Sequence, residues 1–148
     1  MIDISKKPVT LREAVASCRI RLQPETIKLI KEKKIPKGDV LTVSKCAGIL
    51  AAKKVDELLP FCHPLSLEYT DVDFKLEEDS ILILARCKTE SKTGVEMEAM
   101  VACAIAALNV YDMCKFTDRT AIIEEIKLLE KKGGKSGHYV RKLKSEVR

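Results

Sequence analysis

The stretch Thr93-Gly94-Val95-Glu96-Met97-Glu98-Ala99, continued by Met100-Val101-Ala102-Cys103-Ala104-Ile105-Ala106-Ala107-Leu108 and closed by Tyr111-Asp112-Met113-Cys114-Lys115, decides how the rest of the chain is arranged. Its middle is almost purely small and aliphatic. A helix over roughly 95–115 is therefore apolar on nearly every face, and such a helix is buried. Charges at the ends of a buried helix are costly unless something pairs with them. Glu96 and Glu98 at one end, and Asp112 with Lys115 at the other, are thus candidates for a site. Asp112 and Lys115 are three apart and share one helix face. Glu98 and Asp112 are fourteen apart, close to four turns and about 21 Å of rise. A small substrate does not easily touch both ends of such a helix, so a site that uses both is built by two chains.

Each of these charges also has an ordinary reading. Acids near a helix N-terminus are favoured by the helix dipole. Glu96 and Glu98, two apart, point in nearly opposite directions in a regular helix, so one belongs to the preceding loop or to solvent. Asp112 and Lys115 form an (i, i+3) ion pair wherever they stand. Acid/base chemistry gains ground because the pair ends a buried helix, where each group shifts the other's pKa.

Working outward, Leu67–Leu76 and Ser80–Glu90 read as two strands joined by Glu77-Glu78-Asp79. In the first, Glu68, Thr70, Val72, Phe74 and Leu76 form the mostly apolar side. The second carries Ile81-Leu82-Ile83-Leu84-Ala85 and reads as central. Residues 1–17 read as an irregular arm, with a turn of helix capped by Thr10 and Glu13 at the capping-box position. Cys18–Leu22 alternates as a short strand. Pro24 opens a helix through Lys34 with Ile27 and Ile30 inward. Ile35-Pro36-Lys37-Gly38-Asp39 breaks it. Asp39 caps a second helix in which Val40, Val43, Ala47, Leu50, Ala51 and Lys54 keep helical spacing. Pro60 and Pro64 hold Phe61-Cys62-His63 in an ordered turn or extended segment. Over Thr120–Glu130 two periods fit, Ile122, Ile126 and Leu129 for a helix and Ile122, Ile126 and Leu128 for a strand, and periodicity leaves both open. Lys131–Gly137 reads as a flexible basic loop, and the tail from His138 is charged. The sum is an α+β chain with helices on one face of an antiparallel sheet, in one domain over 1–148.

Hydrophobic residues make up 46% and charged residues 33%, the balance of a globular rather than a disordered chain. No apolar run approaches the length of a membrane span. The N-terminus, Met1-Ile2-Asp3-Ile4-Ser5-Lys6-Lys7-Pro8, lacks the apolar core of a signal peptide, so the expectation is a cytoplasmic protein. The net charge of +5 suits a phosphorylated small molecule and also weak nucleic-acid contact. With no Trp, three Phe and three Tyr, a base-stacking surface is not expected. Asn and Gln occur once each, at Asn109 and Gln23, amid abundant Lys, Glu and Ile, a composition of the thermophilic type. Cys18, Cys46, Cys62, Cys87, Cys103 and Cys114 include no C-x-x-C pair. They read as small buried hydrophobes in a reducing compartment, not as a disulfide framework or zinc site.

Further candidates come from position. Lys37 precedes a helix N-terminus, where N–H groups attract phosphate, although a solvated turn lysine reads the same way. Lys53 and Lys54 end that helix and suit its C-terminal dipole. His63, in a rigid frame, suits a fixed hydrogen bond to a ligand, whereas His138 reads as solvated. Gly133-Gly134-Lys135-Ser136-Gly137 is not a P-loop, because the first glycine of G-x-x-x-x-G-K-[ST] would fall at Leu129. It remains either a mobile phosphate-binding lid or a surface loop.

Several runs recur together in order: Met1-Ile2-Asp3-Ile4-Ser5, Val9-Thr10-Leu11-Arg12-Glu13-Ala14, Lys37-Gly38-Asp39-Val40, Ala47-Gly48-Ile49 with Ala51-Ala52-Lys53, Leu59-Pro60-Phe61-Cys62-His63-Pro64-Leu65, Thr93–Ala99, Tyr111–Lys115 and Leu128–Gly137. Each is weak alone. Together they span essentially the whole chain, which resembles the molybdenum-cofactor biosynthesis protein C family, the cyclic pyranopterin monophosphate synthases. The resemblance implies a ferredoxin-like two-layer α+β sandwich and makes residues 120–130 a strand. It implies a homohexamer, a trimer of dimers, with sites between subunits. It also implies conversion of (8S)-3′,8-cyclo-7,8-dihydroguanosine 5′-triphosphate to cyclic pyranopterin monophosphate with loss of pyrophosphate. Such a reaction needs several proton transfers and a clamp for a triphosphate.

On this resemblance Asp112 is the first choice for acid/base work, with Lys115 its partner and Lys37 a third catalytic group. Lys37, Lys53, Lys115 and Lys135 bind phosphates or stabilise departing charge. Phe61, Cys62, His63, Met97 and Glu98 bind substrate, Glu96 supports them, and Arg12 adds charge from the N-terminal arm. Phe61 stands where an aliphatic residue is expected. No cofactor is implied and no metal has a dedicated carboxylate set, so Mg2+ would enter only with the triphosphate. The expected partners are the nucleotide-derived substrate and further copies of the chain, not nucleic acid or membrane. Two other classes compete. A nucleotide-binding regulatory module would need the lysines but not Asp112 or the acids around Met97. A ferredoxin-like RNA binder would need aromatics on the central strands, where Ile81–Leu84 hold none.

Overall fold

The computed structural model describes residues 1–142; residues 143–148, the end of the charged tail, lie outside the described residues. The long apolar segment is a helix, α4 (Glu96–Cys114). It lies across a sheet formed by β1 (Thr10–Arg21), β2 (Tyr69–Leu76), β3 (Ser80–Ser91), β4 (Ile122–Lys132) and β5 (Tyr139–Val140) in the order β2-β3-β1-β4-β5. All four pairings are antiparallel. Helices α1 (Pro24–Lys31), α2 (Val40–Ala52) and the short α3 (Val55–Leu58) fill the connection from β1 to β2. Strand–helix–strand–strand–helix–strand with this strand order is the ferredoxin-like arrangement.

Small side chains set the layer spacing. Ala14, Ala16, Cys18 and Ile20 of β1 and Ile81, Ile83, Ala85 and Cys87 of β3 share one core with Ala99, Ala102, Cys103, Ala106, Ala107 and Val110 of α4. Helix α2 runs beside α4, and the two approach closely at Gly48, where a Cβ would lie 2.8 Å from the Ala102 carbonyl oxygen. By length and composition α4 does reach the range of a membrane span, with mean hydropathy 1.4, contrary to the sequence reading. Nine of its residues are buried in the fold, so it is a core helix.

Further expectations are corrected. The arm over 1–17 does not extend to Thr10: β1 begins there, so Thr10 caps no helix. Up to Ser17 the inward face of β1 is Arg12, Ala14 and Ala16, too small and too polar to show as alternation, and the strand expected from Cys18 is its C-terminal part, with Cys18 and Ile20 inward. The strand that the resemblance implied over 120–130 runs from Ile122 to Lys132, so Lys131 and Lys132 belong to it and not to the basic loop, and its inward residues are Ile123 and Leu128. Ile122 and Ile126 are exposed. Register shifts against β1, with Glu125 at φ 57, move the chain from one face to the other. Helix α1 ends at Lys31 rather than Lys34. Lys33 is left-handed (φ 54), and the N–H groups of Lys33 and Lys34 return to the carbonyls of Ile30 and Leu29, a Schellman closure.

Asp39 caps α2 as expected, accepting from the Thr42 N–H at 3.1 Å. Its buried face, however, is Val40, Ser44, Gly48, Ala51 and Ala52. Val43 and Leu50 are exposed. Cys46 is exposed and Cys62 half-buried, so only four of the six thiols fit the buried reading. His138 is exposed but not simply solvated, since its Nε2 lies 2.7 Å from Glu130 Oε1.

Candidate active site

The two ends of α4 carry two separate constellations. At the C-terminal end, Asp112 projects from the last turn. Lys115 Nζ lies 2.8 Å from Asp112 Oδ1, and Lys37 Nζ lies 2.8 Å from Asp112 Oδ2. Lys37 also donates to the Asp112 main-chain carbonyl at 3.0 Å. It reaches there from the turn before α2, which Gly38 closes at φ +115, a value only glycine adopts easily. Lys115 first and Lys37 second hold the Asp112 carboxyl at a pKa of about 2. The three side chains therefore sum to one positive charge. With its carboxyl about half exposed, the cluster is open to an anion.

At the N-terminal end, a hollow of about 710 Å³ is bounded by Phe61, Cys62, His63, Met97, Glu98 and the segment containing Ile2 and Ile4. His63 Nε2 donates to the Ile2 carbonyl at 2.8 Å, which ties the N-terminal segment across the opening. Glu98 is 5% exposed. Burial, reinforced by the nearby carboxylates of Glu96 and Asp56, pushes its pKa up to about 7, against the lowering effect of its own backbone N–H. A carboxyl in that range gives or takes a proton near neutrality. Burial, then Glu98 and Asp56, also raises the Cys62 pKa, which favours the neutral thiol.

A second hollow of about 560 Å³ adjoins the first, the two sharing Lys7, Thr93, Gly94 and Glu96. It is basic, with Lys7, Arg12, Lys92, Lys131 and Lys135 around it. Arg12, 8% exposed, donates to the carbonyls of Ser91 and Lys92 at 3.3 Å each. Gly134, at φ +78, lies flush against it: a Cβ there would be 2.1 Å from Arg12 Nη1. Gly94 plays the matching part for Glu96, whose carboxylate folds back over it and accepts from Lys131 Nζ at 2.7 Å. The Thr10 hydroxyl, which borders this hollow, is the one buried side-chain polar atom without a partner among the described residues.

The structure thus gathers Phe61, Cys62, His63, Glu96, Met97 and Glu98 in one hollow and Arg12 with Lys135 in the next. It keeps Lys37, Asp112 and Lys115 together at the far end of α4. Lys53, the exposed C-cap of α2, borders neither hollow. Because α2 and α4 run antiparallel, with Ser44 bonded to Asn109 and Gly48 facing Ala102, Lys53 lies toward the N-terminal end of α4. Lys7, Lys92, Lys131 and Phe116 escaped the sequence reading. The pairing of β1 with β3 and β4 brings Lys92 and Lys131 to Arg12, while Lys7 lies just before β1. Among the described residues, no group of three His, Cys, Asp or Glu is placed to hold a metal ion.

A ferredoxin-like sandwich with two adjoining hollows, one of them cation-lined, and a buried carboxyl tuned near neutrality defines a small-molecule site suited to an anionic ligand. Within that class, the MoaC family model matches residues 1–134, and the chain belongs to the MoaC family. It is 52% identical over 140 residues to the cyclic pyranopterin monophosphate synthase of Aquifex aeolicus (strain VF5), a match covering 95% of this chain and 55% of that protein. The chain spans little more than half the length of this relative.

Proposed function

We propose that this chain, as one domain, is a cytoplasmic cyclic pyranopterin monophosphate synthase of molybdenum-cofactor biosynthesis. It converts (8S)-3′,8-cyclo-7,8-dihydroguanosine 5′-triphosphate to cyclic pyranopterin monophosphate and pyrophosphate. One observation carries the reading: acid/base capacity and cationic clusters occur together, on matching motifs, at the two ends of one buried helix. The basic hollow around Arg12 and Lys135 suits the triphosphate, and the adjoining hollow with Phe61, His63 and Met97 suits the purine-derived ring. Glu98 suits proton transfer. Asp112, held near pKa 2, suits a different task from the acid/base role first expected of it: aligning Lys37 and Lys115 on developing negative charge. No resident cofactor enters this scheme, and Mg2+ would arrive with the triphosphate.

The two constellations are separated by most of α4. We therefore place the complete site between two subunits, within a hexamer built as a trimer of dimers. The exposed apolar residues Val43 and Leu50 of α2 and Leu108 of α4 support such burial against another copy. The test is conversion of the cyclised precursor by the purified protein, reading pterin product and pyrophosphate together. Equal amounts of both, abolished by Asp112→Ala and by Lys115→Ala in folded protein, support the assignment. Binding of the precursor without either product would favour the regulatory module instead.

A further inference from the structure

We propose that Phe116 is a positioning residue of this site: its ring holds the ammonium groups of Lys37 and Lys115 side by side against Asp112. The proposal rests on the assignment of those lysines to the reacting site above.

The chain has three phenylalanines, and this one is 75% exposed. A large apolar ring left in solvent is informative when a specific contact accompanies it. Here there are two. Lys37 Nζ lies 5.4 Å from the ring centroid and Lys115 Nζ 5.9 Å from it. Both fall within the distance at which the ring quadrupole attracts a cation.

The backbone that carries the ring is also held in place. Phe116 directly follows the α4 C-cap, in a turn where the N–H groups of Thr117 and Asp118 return to the Cys114 carbonyl at 2.9 and 2.8 Å. Asp118 is buried and accepts from Gln23 N at 2.7 Å, from Thr26 Oγ1 and from Thr120, which anchors the turn to the start of α1.

Two ammonium groups that share one carboxylate repel each other. A second carboxylate would relieve the repulsion but would neutralise the cluster and compete with an incoming anion. An aromatic ring attracts both cations without adding net charge. The cluster thus keeps its single positive charge, with both lysines in place for one phosphate group.

The experiment compares wild type with Phe116→Leu, which keeps bulk without the π face, and Phe116→Tyr, which keeps the face. A series of fluorinated phenylalanines at position 116 drains the quadrupole in steps. Turnover of the precursor, binding of inorganic pyrophosphate by calorimetry and thermal midpoint are read for each. We expect Phe116→Leu to lower kcat and pyrophosphate affinity by about tenfold, two exposed cation–π contacts being lost. Tyrosine should stay within about twofold, and fluorination should lower both readings stepwise at constant midpoint. A flat fluorination series, or a rise in KM alone, would overturn the proposal. Wild-type protein that fails to bind pyrophosphate would overturn it too. Failure of the synthase reading looks different: no product from wild type, yet pyrophosphate binding that still weakens in Phe116→Leu. Binding lost in Lys37→Ala but intact in Phe116→Leu would sink the Phe116 role alone.

Discussion

Glu98 shows what a single position can demand of a fold. A carboxyl buried at the start of an apolar helix is stable as the acid and strained as the anion. Its folded pKa, about 7, lies above the ordinary 4.5. Below 4.5 the group is neutral in folded and unfolded chains alike and shifts nothing. Between 4.5 and about 7 the unfolded chain releases the proton first, so stability falls as pH rises; above about 7 the penalty is complete. Glu98→Gln should therefore match wild type at pH 4 and exceed it by up to about 3 kcal/mol at pH 8. Urea unfolding across that range checks it, and parallel pH profiles would show that Glu98 is solvated as an ordinary surface acid. Asp112 is the opposite case. Its pKa is depressed from 3.8 to about 2, so its stabilisation is present above 3.8 and fades as pH falls through about 2. Lys115 is the larger cause and Lys37 the smaller. In carbon-detected NMR titrations, Lys115→Ala should raise the Asp112 pKa more than Lys37→Ala does. The reverse order would mean that the Lys37 contact dominates.

Among the elements, those with one strong period were legible. The apolar run over 95–115 predicted α4 to within a residue at each end, and the alternation over 67–90 located the β2–β3 hairpin. The end of β1 was read from Cys18 onward, but its start was missed because the core face there is Arg12, Ala14 and Ala16, while Leu11 faces solvent. The bulges of β4 break the period that would have revealed it. The site divides the same way. The candidates at the ends of α4 were visible because charges interrupted an apolar run. Lys92 and Lys131 were invisible because strand register, not sequence proximity, brings them to Arg12. Gly48 tests the packing that results. In a solvated helix, Gly→Ala stabilises by about 1 kcal/mol. Here the added Cβ meets the Ala102 carbonyl oxygen at 2.8 Å and Val72 Cγ2 at 3.1 Å, so Gly48→Ala should instead destabilise by about 1–3 kcal/mol. A higher urea midpoint in the variant would show that α2 and α4 sit further apart than described.

For the whole molecule, the length of α4 is the argument. The helix spans Glu96–Cys114 and lies flat on the sheet, so its ends, with the hollow around Glu98 and the cluster around Asp112, stay apart in every conformation that keeps the core. Two copies related by a two-fold axis can bring opposite ends together, because a symmetric interface sets residue i of one chain against residue j of the other and the reverse. On the proposed assembly each dimer would hold two composite sites, each drawing Glu98 from one chain and Asp112 from the other. Mixing separately inactive Glu98→Gln and Asp112→Ala proteins under conditions of subunit exchange yields mixed dimers with one doubly defective site and one intact site. Half of the dimers are mixed at equal input, so activity should recover to about a quarter of wild type. Exchange must be verified independently, by mass-labelled subunits in native mass spectrometry. If labelled subunits exchange and activity stays at background, both ends of α4 serve separate tasks within one chain. If a quarter returns, the apolar helix that decides the fold also explains why one chain is too small to hold its own site.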